Sequence, residues 1–374
     1  MIAVVGTRGF PDVQGGVERH CEELYTRLAA RGVELLVFTR SPYVPQAPRW
    51  SSWRGIRLRK LWAPRQKSVE AIWHSLAAVL LARAAGAPLV HVHAIGPGLA
   101  VPFARRLGLR VVFTHHGRDY MREKWGPLAK RVLRTGERWA VRDAHEVLAV
   151  SHEVEAWVGN TFGRSAIYAP NGISVDARTP AQVEATLAAF GLRPQAYAVS
   201  VARLVPEKGL HDLIEAAAEI APVVVVGDAD HGSAYATELK ARASDKVRFL
   251  GAQPHSVTLD LVRGARVFAL PSYHEGLPIA LLEALACGTP AIASDIVPHR
   301  EILSDTDCGW LIPPGDVSGL RHALREAWTL DGAERRARTA RGTAMIAERF
   351  SWERTVDIVA AAYRRQIAGA SVFA

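Results

Sequence analysis

The stretch VFALPSYHEGLPIALLEALACGTPAIAS, residues 267–294, contains two short apolar runs separated by a loop and an apolar helical pattern. It predicts a strand over Val267–Leu270, a helix over Pro278–Ala286 and a second strand over Pro290–Ser294. A strand, a helix and a strand in this order form a βαβ unit, and such units build parallel sheets covered by helices on both faces. This stretch therefore predicts an α/β fold.

The same alternation of short apolar runs and helical patterns occupies two successive parts of the chain. The predicted strands of the first part are Ile2–Gly6, Glu34–Arg40, Ile56–Leu61, Leu89–His93, Arg110–His115 and His145–Ser151. Those of the second part are Tyr197–Ala202, Pro222–Gly227, Val247–Gly251, Val267–Leu270, Pro290–Ser294 and Gly309–Ile312. The helical patterns include Val17–Arg31, Ser68–Ala85, Gly209–Ile220, Pro278–Ala286 and Trp352–Ile367. The repetition predicts two doubly wound, Rossmann-like domains.

A boundary between the domains is expected near residue 180, where the segment DARTPAQVE is polar and contains proline. We predict an N-terminal domain over residues 1–180, a C-terminal domain over residues 181–350, and a final helical segment, residues 351–374, that packs across both. In open α/β sheets, ligands bind beyond the carboxyl ends of the strands. The expected site is therefore a cleft across which the two domains face each other.

The composition limits the class of protein. The length of 374 residues exceeds what one hydrophobic core usually supports, and the 49% hydrophobic and 22% charged residues are typical of soluble globular proteins. The N-terminal sequence MIAVVGTRGF lacks the pattern of a signal peptide, and the apolar run Leu76–Ala82 is shorter than the about 20 residues that cross a bilayer. The three cysteines have no metal-binding or redox spacing, so we expect a cytoplasmic protein.

Positive charge is concentrated in the first part of the chain. Residues 1–180 contain 26 Lys and Arg and 14 Asp and Glu, a balance of +12, whereas the remaining residues carry −3 and the whole chain +9. A basic half is typical of proteins that bind nucleic acid, an anionic membrane surface or a phosphorylated substrate. A solvated surface rich in arginine has the same composition.

Two features of the first part follow predicted strands. Gly15 and Gly16 precede a predicted helix in the segment VVGTRGFPDVQGGVER, where backbone N–H groups could approach a phosphate or a sugar. The glycine spacing matches neither G-x-G-x-x-G nor a P-loop. His115 and His116 end a predicted strand before Gly117. Adjacent side chains point to opposite sides, which makes these two poor ligands for one metal ion but lets one of them face the cleft.

Two further features lie in the second part. Arg203 and Lys208, in SVARLVPEKGL, precede a predicted helix, and two cations beside a helix N-terminus suit a diphosphate. Glu275 lies in the loop before the helix Pro278–Ala286, and Glu283 lies in the second turn of that helix. A lone buried carboxylate is costly, and carboxylates accept hydrogen bonds from sugar hydroxyls. These two acids therefore predict a ligand.

Together these features resemble the retaining glycosyltransferases of the GT-B fold, family 4. The segment EGLPIALLEALACGTPAIASD is similar to the E-x7-E motif of that family, and ARLVPEKGL to its donor-phosphate segment. GTRGFPDVQGGVERHCEELYTRLAARGVELLVFTR is similar to the N-terminal signature, and APNGI, residues 169–173, to the stretch before the interdomain linker. The resemblance covers nearly the whole chain, and the GTRG run resembles a subgroup that acts on bacterial surface polysaccharides, including rhamnosyltransferases.

The resemblance implies a nucleotide-sugar donor bound mainly by the second domain and an acceptor bound mainly by the first. Arg203 and Lys208 would hold the diphosphate, Glu283 would accept from the ribose hydroxyls, and Glu275 from a hydroxyl of the transferred sugar. His116 matches the catalytic histidine of the family, although its neighbour His115 could take that place. The residues that would also border the donor are Gly15, Gly16, Gly227, Leu250, Gly251, Gly276, Leu277 and Pro278.

The resemblance also implies that the anomeric configuration is retained, by attack on the same face of the sugar with the leaving phosphate as the base. Glu275 would then orient the sugar rather than act as the nucleophile, unlike the paired carboxylates of retaining hydrolases. The segment GDAD, Gly227–Asp230, contains a D-x-D, which binds a divalent metal in another glycosyltransferase fold. We interpret it here as a loop, and we expect no essential metal and no cofactor.

Three other functions fit parts of the sequence. A nucleotide-sugar 2-epimerase shares the two-domain cleft but is not expected to have the E-x7-E context. A nucleic-acid-binding protein would explain the basic first part, but we find no recognition motif there. An NAD-dependent enzyme is disfavoured by the missing glycine fingerprint. We therefore favour a glycosyltransferase with no nucleic-acid partner.

The expected acceptor is a glycan or a polyprenyl-diphosphate-linked glycan, at the inner face of the membrane. In the segment RLRKLWAPRQKSVEAIWHSLAAVLLAR, Arg57–Arg83, basic residues precede Trp73 and an apolar helical pattern. Such a segment can lie in an anionic membrane interface, and we predict a peripheral association of this kind. An exposed loop followed by a core helix would have the same sequence.

Overall fold

The computed structural model describes residues 1–11, 13–64, 69–121, 125–229, 233–304 and 308–367. Ser68, the predicted start of a helix, and Asp230 of the D-x-D lie outside these residues. The chain forms two compact units, one of Met1–Asn171 with Trp352–Ala374 and the other of Gly172–Ser351. The first unit therefore ends at Asn171, whereas the sequence predicts a boundary near residue 180.

The reason for this earlier boundary lies in the backbone of the second unit. Ile173 N–H donates to the Phe350 carbonyl oxygen over 3.0 Å, and Ile173 forms a β-bridge with Ser351. The segment by which the chain enters this unit is thus paired, at residue 173, with the segment by which it leaves, at residue 351. The polar segment near residue 180 leads into a helix of the same unit, which Thr179 caps.

The first unit has an eight-stranded sheet in the part of the chain that is described. Its strands are β1 (Ile2–Val5), β2 (Leu35–Arg40), β3 (Trp50–Trp53), β4 (Ile56–Leu61), β5 (Leu89–His93), β6 (Arg110–His115), β7 (Glu146–Ala149) and β8 (Ile167–Tyr168). The order is β3-β4-β2-β1-β5-β6-β7-β8, and neighbouring strands are parallel except β3 and β4. Ile2 pairs with Leu35 on one side and Leu89 on the other, so β1 lies at the centre.

Helices cover both faces of this sheet. They are α1 (Gly16–Ala30), α2 (Glu70–Ala84), α3 (Val101–Arg106), α4 (Pro127–Asp143), α5 (His152–Phe162) and the C-terminal helix (Trp352–Gln366), with 3₁₀ turns at Pro97–Ala100 and Asp119–Met121. One core contains apolar residues of α2 to α5, and the other contains those of α1 and the C-terminal helix. The C-terminal helix is thus part of the first unit, and its packing across both domains stays a prediction.

The second unit has a six-stranded parallel sheet among its described residues. Its strands are β9 (Ala198–Val201), β10 (Val223–Val226), β11 (Val247–Phe249), β12 (Val267–Leu270), β13 (Ala291–Ser294) and β14 (Gly309–Ile312), in the order β11-β10-β9-β12-β13-β14. Its helices are α6 (Pro180–Ala189), α7 (Leu210–Ala217), α8 (Ala234–Lys240), α9 (His255–Gly264), α10 (Ile279–Ala286), α11 (Val297–Leu303), α12 (Val317–Thr329) and α13 (Gly332–Arg349), with a 3₁₀ turn at Pro206–Lys208.

The doubly wound α/β architecture is confirmed in both units, and every predicted strand is found with bounds that differ by at most a few residues. The strands β3 and β8 were not predicted. β3 has the sequence WSSW and is a partly exposed antiparallel edge strand, and β8 has only two residues. Neither carries the continuous apolar run that marks a buried parallel strand. None of the described helices combines the length and apolarity needed to cross a membrane.

Candidate active site

In the second unit the strand order reverses between β9 and β12, which are neighbours in the sheet although β10 and β11 lie between them in the chain. Ligands of open α/β sheets bind beyond the carboxyl ends of the strands at such a reversal. The loop after β9 contains Arg203 and Lys208, and the loop after β12 contains Glu275. The fold thus places these three predicted residues at one edge of the sheet.

Lys208 and Glu275 form an ion pair at this edge. Lys208 Nζ lies 2.6 Å from Glu275 Oε1, and the Ser272 hydroxyl donates to the same oxygen over 2.8 Å. Burial would raise the pKa of the Glu275 carboxyl, but the charge of Lys208 and the hydrogen bonds from Lys208 and Ser272 hold it below its ordinary value. Glu275 is therefore an ionised acceptor at neutral pH, and its partner is a cation that a phosphate can also bind.

The backbone holds these two loops together. Gly209 follows Lys208 with φ of 62°, and a Cβ at this position would lie 2.1 Å from the Pro271 carbonyl oxygen. Tyr273 N–H donates to the Glu207 carbonyl oxygen over 2.9 Å. Since only glycine fits so close to the neighbouring backbone, the contact fixes the distance between the loop that carries Lys208 and the loop that carries Glu275.

Three of the residues predicted to bind the nucleotide-sugar donor, Arg203, Gly227 and Leu250, follow strands of the same sheet. Arg203 comes two residues after β9 and is partly buried. Gly227 follows β10 with φ of 131°, and its N–H donates to the Gly251 carbonyl oxygen over 2.8 Å. Leu250 N–H donates to the Val225 carbonyl oxygen over 2.9 Å. The pairing of β10 with β11 therefore continues beyond the strand ends, and the backbone there is already hydrogen-bonded.

Glu283 has a histidine partner that the sequence analysis did not identify. Its side chain is on α10, and Glu283 Oε1 lies 2.7 Å from Nε2 of His255, the first residue of α9. Glu283 is buried, whereas His255 is partly exposed. The carboxylate in the apolar helix is thus satisfied by a polar group at its edge, as buried carboxylates require.

The loop before α10 differs from the prediction at one residue. Pro278 was expected to be the first helical residue, but it is the N-cap, with φ of −75° and ψ of 107°, and α10 begins at Ile279. Because this ψ is extended, only the Pro278 carbonyl oxygen takes part in the helix, accepting from Leu281 N–H over 3.1 Å. Leu277 and Pro278 are buried, and Gly276 is partly exposed.

In the first unit, Gly15 and Gly16 lie at the N-terminus of α1, as predicted from the sequence. Gly15 is the N-cap, and a Cβ there would lie 2.0 Å from Glu18 Oε2. Glu18 in turn accepts from the backbone N–H of Arg8 over 3.1 Å. A side chain at Gly15 would displace Glu18, whereas Gly16 has open space around it.

His115 and His116 have different surroundings. His115 is buried and both ring nitrogens are engaged: Nε2 lies 2.8 Å from Glu137 Oε1, and Nδ1 accepts from Gly117 N–H over 3.1 Å. His116 is partly exposed, and its Nε2 lies 3.0 Å from His93 Nδ1. His116, and not its neighbour, is therefore the histidine that can reach a ligand from solvent.

His116 belongs to a cluster with His20 on α1 and His93 at the end of β5. One ring nitrogen of each residue lies within 4.8 Å of the other two, and His20 Nδ1 lies 2.8 Å from Asn171 Oδ1. Burial lowers the pKa of His20 to about 4 and the pKa values of His93 and His116 well below their ordinary value. All three rings are therefore neutral at pH 7.

A second set of buried groups holds His93. The Tyr25 hydroxyl contacts His93 Nε2 and lies 2.9 Å from His91 Nδ1. The Tyr363 hydroxyl, from the C-terminal helix, lies 2.6 Å from the same His91 nitrogen, and His91 Nε2 lies 2.7 Å from Thr114 Oγ1. The C-terminal helix therefore contributes directly to the network behind the histidine cluster.

The partners of the predicted site residues were not predicted from the sequence. They are Ser272, His255, His20, His93 and Asn171. His93 could have been predicted, because it is the last residue of β5, just as His115 is the last residue of the neighbouring strand β6. Ser272 and His255 give no comparable signal, since their pairing depends on loop conformation rather than on spacing.

Two family models match the chain. The model described as a glycosyl transferase 4-like domain matches residues 15–172, and the model described as glycosyl transferases group 1 matches residues 188–344. The first region contains the histidine cluster, and the second contains both carboxylates with their partners.

Relatives named D-inositol 3-phosphate glycosyltransferase align with almost the whole chain. The protein of Gordonia bronchialis is 30% identical over 387 residues, which cover 94% of this chain and 84% of the relative. The protein of Mycolicibacterium smegmatis is also 30% identical, over 384 residues that cover 94% of this chain and 86% of the relative.

Solved structures share the architecture. Sucrose-phosphate synthase from Thermosynechococcus elongatus superposes with a TM-score of 0.84 at 23% identity, covering 99% of both chains. HepE from Anabaena superposes with a TM-score of 0.79 at 20% identity, covering 97% of this chain and 98% of HepE. These likenesses show the GT-B fold. With the two matching family models and a 30% identical relative covered over 84% of its length, the chain belongs to the group 1 glycosyltransferases and has a glycosyltransferase 4-like N-terminal domain.

Proposed function

We propose that the protein transfers a sugar from a nucleoside-diphosphate-sugar donor to a hydroxyl group of an acceptor, with retention at the anomeric carbon. The observation that carries this proposal is the Lys208–Glu275 ion pair, which joins the two loops at the reversal of strand order in the second unit. A cation for the phosphate and a carboxylate for a sugar hydroxyl lie side by side there.

In this proposal, Arg203 and Lys208 hold the diphosphate. When the donor binds, Lys208 Nζ turns from Glu275 toward a phosphate oxygen, and Glu275 becomes free to accept from a hydroxyl of the transferred sugar. Glu283 accepts from the ribose hydroxyls. Gly227, Leu250, Gly276, Leu277 and Pro278 border the donor through their backbone and shape.

The chemical step follows from the charge that develops on the leaving group. The bond between the anomeric carbon and the diphosphate oxygen breaks, and the electron pair goes to the diphosphate. The acceptor oxygen attacks from the same face, and its proton goes to the leaving phosphate. Fixed cations that face the developing charge usually supply the largest part of such catalysis, and Arg203 and Lys208 have that role here.

From the first unit, His116 contacts the donor sugar, and Gly15 and Gly16 approach the donor with their backbone. The partial exposure of His116 supports this choice, because both nitrogens of His115 already have partners inside the protein. No mobile metal ion takes part in the proposed transfer.

The donor is best identified by a thermal-shift screen against UDP-, GDP-, dTDP- and ADP-sugars. HepE was crystallised with UDP and glucose and with UDP-glucose, so we expect a UDP-sugar to give the largest shift. A donor at 100 times its Kd adds about 2.7 kcal/mol to the stability of the native state. If no nucleotide sugar shifts the melting temperature, the proposal fails.

A second incubation separates transfer from epimerisation. The donor that binds is incubated with the protein without an acceptor, and the sugar is analysed for a new epimer. We expect none, and only slow hydrolysis. The appearance of a 2-epimer would favour the epimerase and overturn the transferase.

We propose that the acceptor carries a phosphate or a diphosphate. The relatives bear the name D-inositol 3-phosphate glycosyltransferase, and the first 180 residues carry a balance of +12. Inositol 3-phosphate and a polyprenyl-diphosphate-linked glycan of a surface polysaccharide share this chemistry. Assaying both with the identified donor distinguishes them, and transfer to inositol without phosphate at the same rate would contradict the proposal.

The lipid-linked acceptor is favoured by a specific surface of the first unit. A groove of about 880 Å³ lies between α2, α3 and α4, and its lining includes Leu80, Trp139, Arg106 and Arg142. Leu80 and Trp139 are each more than two-fifths exposed, as is Trp73 on α2. Exposed tryptophan beside arginine is typical of a surface that binds an anionic bilayer interface.

Liposome flotation with and without anionic lipid tests this membrane association. We expect the wild type to float only with anionic lipid, and the variant Trp139→Ser to float less. Val297→Ser, which removes an equally exposed apolar side chain from the second unit, is the matched control and should float like the wild type. Equal flotation on neutral and anionic vesicles would exclude the proposed interface.

A further inference from the structure

One nitrogen of the histidine cluster has no role in the hydrogen bonding described above. His20 is buried, and its Nε2 has no hydrogen-bond partner among the described residues. The other nitrogen, Nδ1, lies 2.8 Å from the Asn171 side-chain oxygen, which is an acceptor. The assignment that satisfies this contact puts the proton on Nδ1 and a lone pair on Nε2. A buried lone pair of this kind is available to bind a metal ion.

Two more histidines complete the cluster. His93 Nδ1 and His116 Nε2 share a hydrogen bond over 3.0 Å, and one ring nitrogen from each of His20, His93 and His116 lies within 4.8 Å of the other two. We propose that these three histidines form a site for a divalent transition-metal ion, and that the ion it takes is Zn²⁺. Tetrahedral zinc with bonds of about 2.0 Å separates its nitrogen ligands by about 3.3 Å, so the cluster needs only small side-chain rotations to close on the ion.

The surrounding groups orient the ligands as metal sites require. A metal-bound histidine normally donates its other N–H to an oxygen acceptor, which fixes the ring. His20 does so to Asn171, and His93 Nε2 contacts the Tyr25 hydroxyl. The neighbouring His115 does not join the site, because its nitrogens face Glu137 and Gly117.

The chemistry of the donor set favours zinc over the hard cations. Three neutral imidazoles suit Zn²⁺, Cu²⁺ and Ni²⁺, whereas Mg²⁺ and Ca²⁺ prefer oxygen ligands. Binding breaks the hydrogen bond between His93 Nδ1 and His116 Nε2, and its proton moves to the other nitrogen of the same ring, so that both atoms offer a lone pair to the ion. His116 is partly exposed, so the ion enters past it and keeps one position open to water.

Occupancy of this site has a consequence for catalysis, which rests on the proposed function. A zinc ion on His116 Nε2 takes the lone pair that would meet the donor sugar. Zinc therefore inhibits transfer, and a chelator restores it. The site is thus a place for inhibition by a metal in an enzyme that needs none for its chemistry.

Binding is measured on the full-length protein independently of transfer. Isothermal titration with Zn²⁺ should show one equivalent bound, and Co²⁺ should give the intense visible absorption of a tetrahedral ion. The variants His20→Gln and His116→Gln should each weaken Zn²⁺ binding at least tenfold and remove the cobalt band. His116→Gln changes a partly exposed residue, so it keeps the test valid if the buried variant does not fold.

The matched control is His322→Gln. His322 Nε2 lies 3.6 Å from Glu326 Oε1 on the exposed surface of α12, a pair that could bind zinc weakly. Its loss should leave the titration unchanged. Zinc affinity that is unaffected by His20→Gln and His116→Gln, or that disappears in His322→Gln, would overturn the site. Zinc bound at the cluster without inhibition of transfer would leave the site standing and overturn the role proposed for His116.

Discussion

At the edge of the sheet where the strand order reverses, the first unit has neutral imidazole rings and the second unit has an ion pair. Both sheets reverse in the same way, between β1 and β5 and between β9 and β12. In the first unit the residues there are His20, His93 and His116, whereas in the second Lys208 faces Glu275. Two doubly wound units thus place different chemistry beyond equivalent reversals of strand order.

The difference follows from what each set costs to bury. A neutral imidazole is satisfied by one or two hydrogen bonds, so His93 can be fully buried, and burial simply lowers its pKa. A buried carboxylate stays ionised where a cation and hydrogen bonds offset the cost of burial, as Lys208 and Ser272 do for Glu275. The charged pair of the second unit is therefore suited to a diphosphate, and the neutral rings of the first unit are suited to contact uncharged hydroxyl groups.

In both units a glycine packs closely against the backbone at the edge where the strand order reverses. A Cβ at Gly6, after β1, would lie 2.2 Å from the His93 carbonyl oxygen, and a Cβ at Gly209, after β9, would lie 2.1 Å from that of Pro271. Each glycine lets the loop after the first strand of its unit touch the end of the neighbouring strand. What differs between the units is the side chains, and these can be exchanged experimentally.

The largest expected effect is on the charged pair. Lys208→Met removes the cation proposed to face the leaving diphosphate, and we expect turnover to fall by about 10²–10³, as for other groups that stabilise developing charge. Initial rates at saturating donor measure this effect. The variant keeps the length of the side chain, and the Ser272 hydroxyl still donates to Glu275 Oε1.

Lys246→Met is the control for this change. Lys246 Nζ donates to the Ala218 carbonyl oxygen on the exposed surface of the same unit, so its removal should leave the rate within a factor of two of the wild type. If Lys208→Met retained full activity, charge would not distinguish the second unit from the first.

Glu275→Gln should also lower turnover strongly, with a smaller change in donor affinity.

The second effect is on the glycine contact. Gly209→Ala adds a Cβ next to the Pro271 carbonyl oxygen at φ of 62°, and we expect a loss of more than about 2 kcal/mol in the free energy of unfolding. Gly288→Ala is the matched control, because Gly288 has φ of 72° but nothing within 4 Å of its Cβ. It should cost only about 1 kcal/mol. Urea denaturation measures both, and equal losses would show that the close contact between the loops is unimportant.

The sequence predicts the fold well because buried parallel strands are continuous apolar runs, as VVVV of β10 shows. It also predicts that Lys208 and Glu275 lie at one edge of the second sheet, because residues that follow parallel strands share that edge. The binding roles of these residues and of His116 stay predictions. It does not predict that Glu283 meets His255 or that His20 meets Asn171, since these contacts join distant segments. Spacing along the chain indicates which residues lie beyond the strand ends, whereas their partners depend on tertiary packing.

The third effect concerns acid stability and the neutral rings. The folded protein lowers the pKa of His20 from 6.5 to about 4, so the unfolded chain binds the proton more tightly. Stability is therefore complete above about pH 6.5 and is lost as the pH falls toward 4. For His20 alone the loss between pH 7.5 and pH 5 is about 2 kcal/mol. His91, His93 and His116 shift in the same direction.

Urea denaturation at the two pH values checks this effect. His20→Gln should lose about 2 kcal/mol less than the wild type on acidification, whatever its stability at neutral pH. His322→Gln, on the exposed surface of the second unit, should respond to acid as the wild type does. An identical response of all three proteins would mean that His20 is not held neutral by the fold.

The smallest effect concerns Glu283 and its partner His255 in the second unit. Glu283→Gln keeps the shape of the side chain but removes the charge that would accept from two ribose hydroxyls, so we expect donor affinity to fall about tenfold, or about 1.4 kcal/mol. Turnover at saturating donor should change little, in contrast to Glu275→Gln, because the ribose is remote from the bond that breaks. Isothermal titration with the donor and initial rates separate the two effects. If Glu283→Gln binds donor normally but transfers slowly, Glu283 acts with Lys208 and Glu275 in the chemical step. Both Glu275 and Glu283 would then contact the reacting sugar.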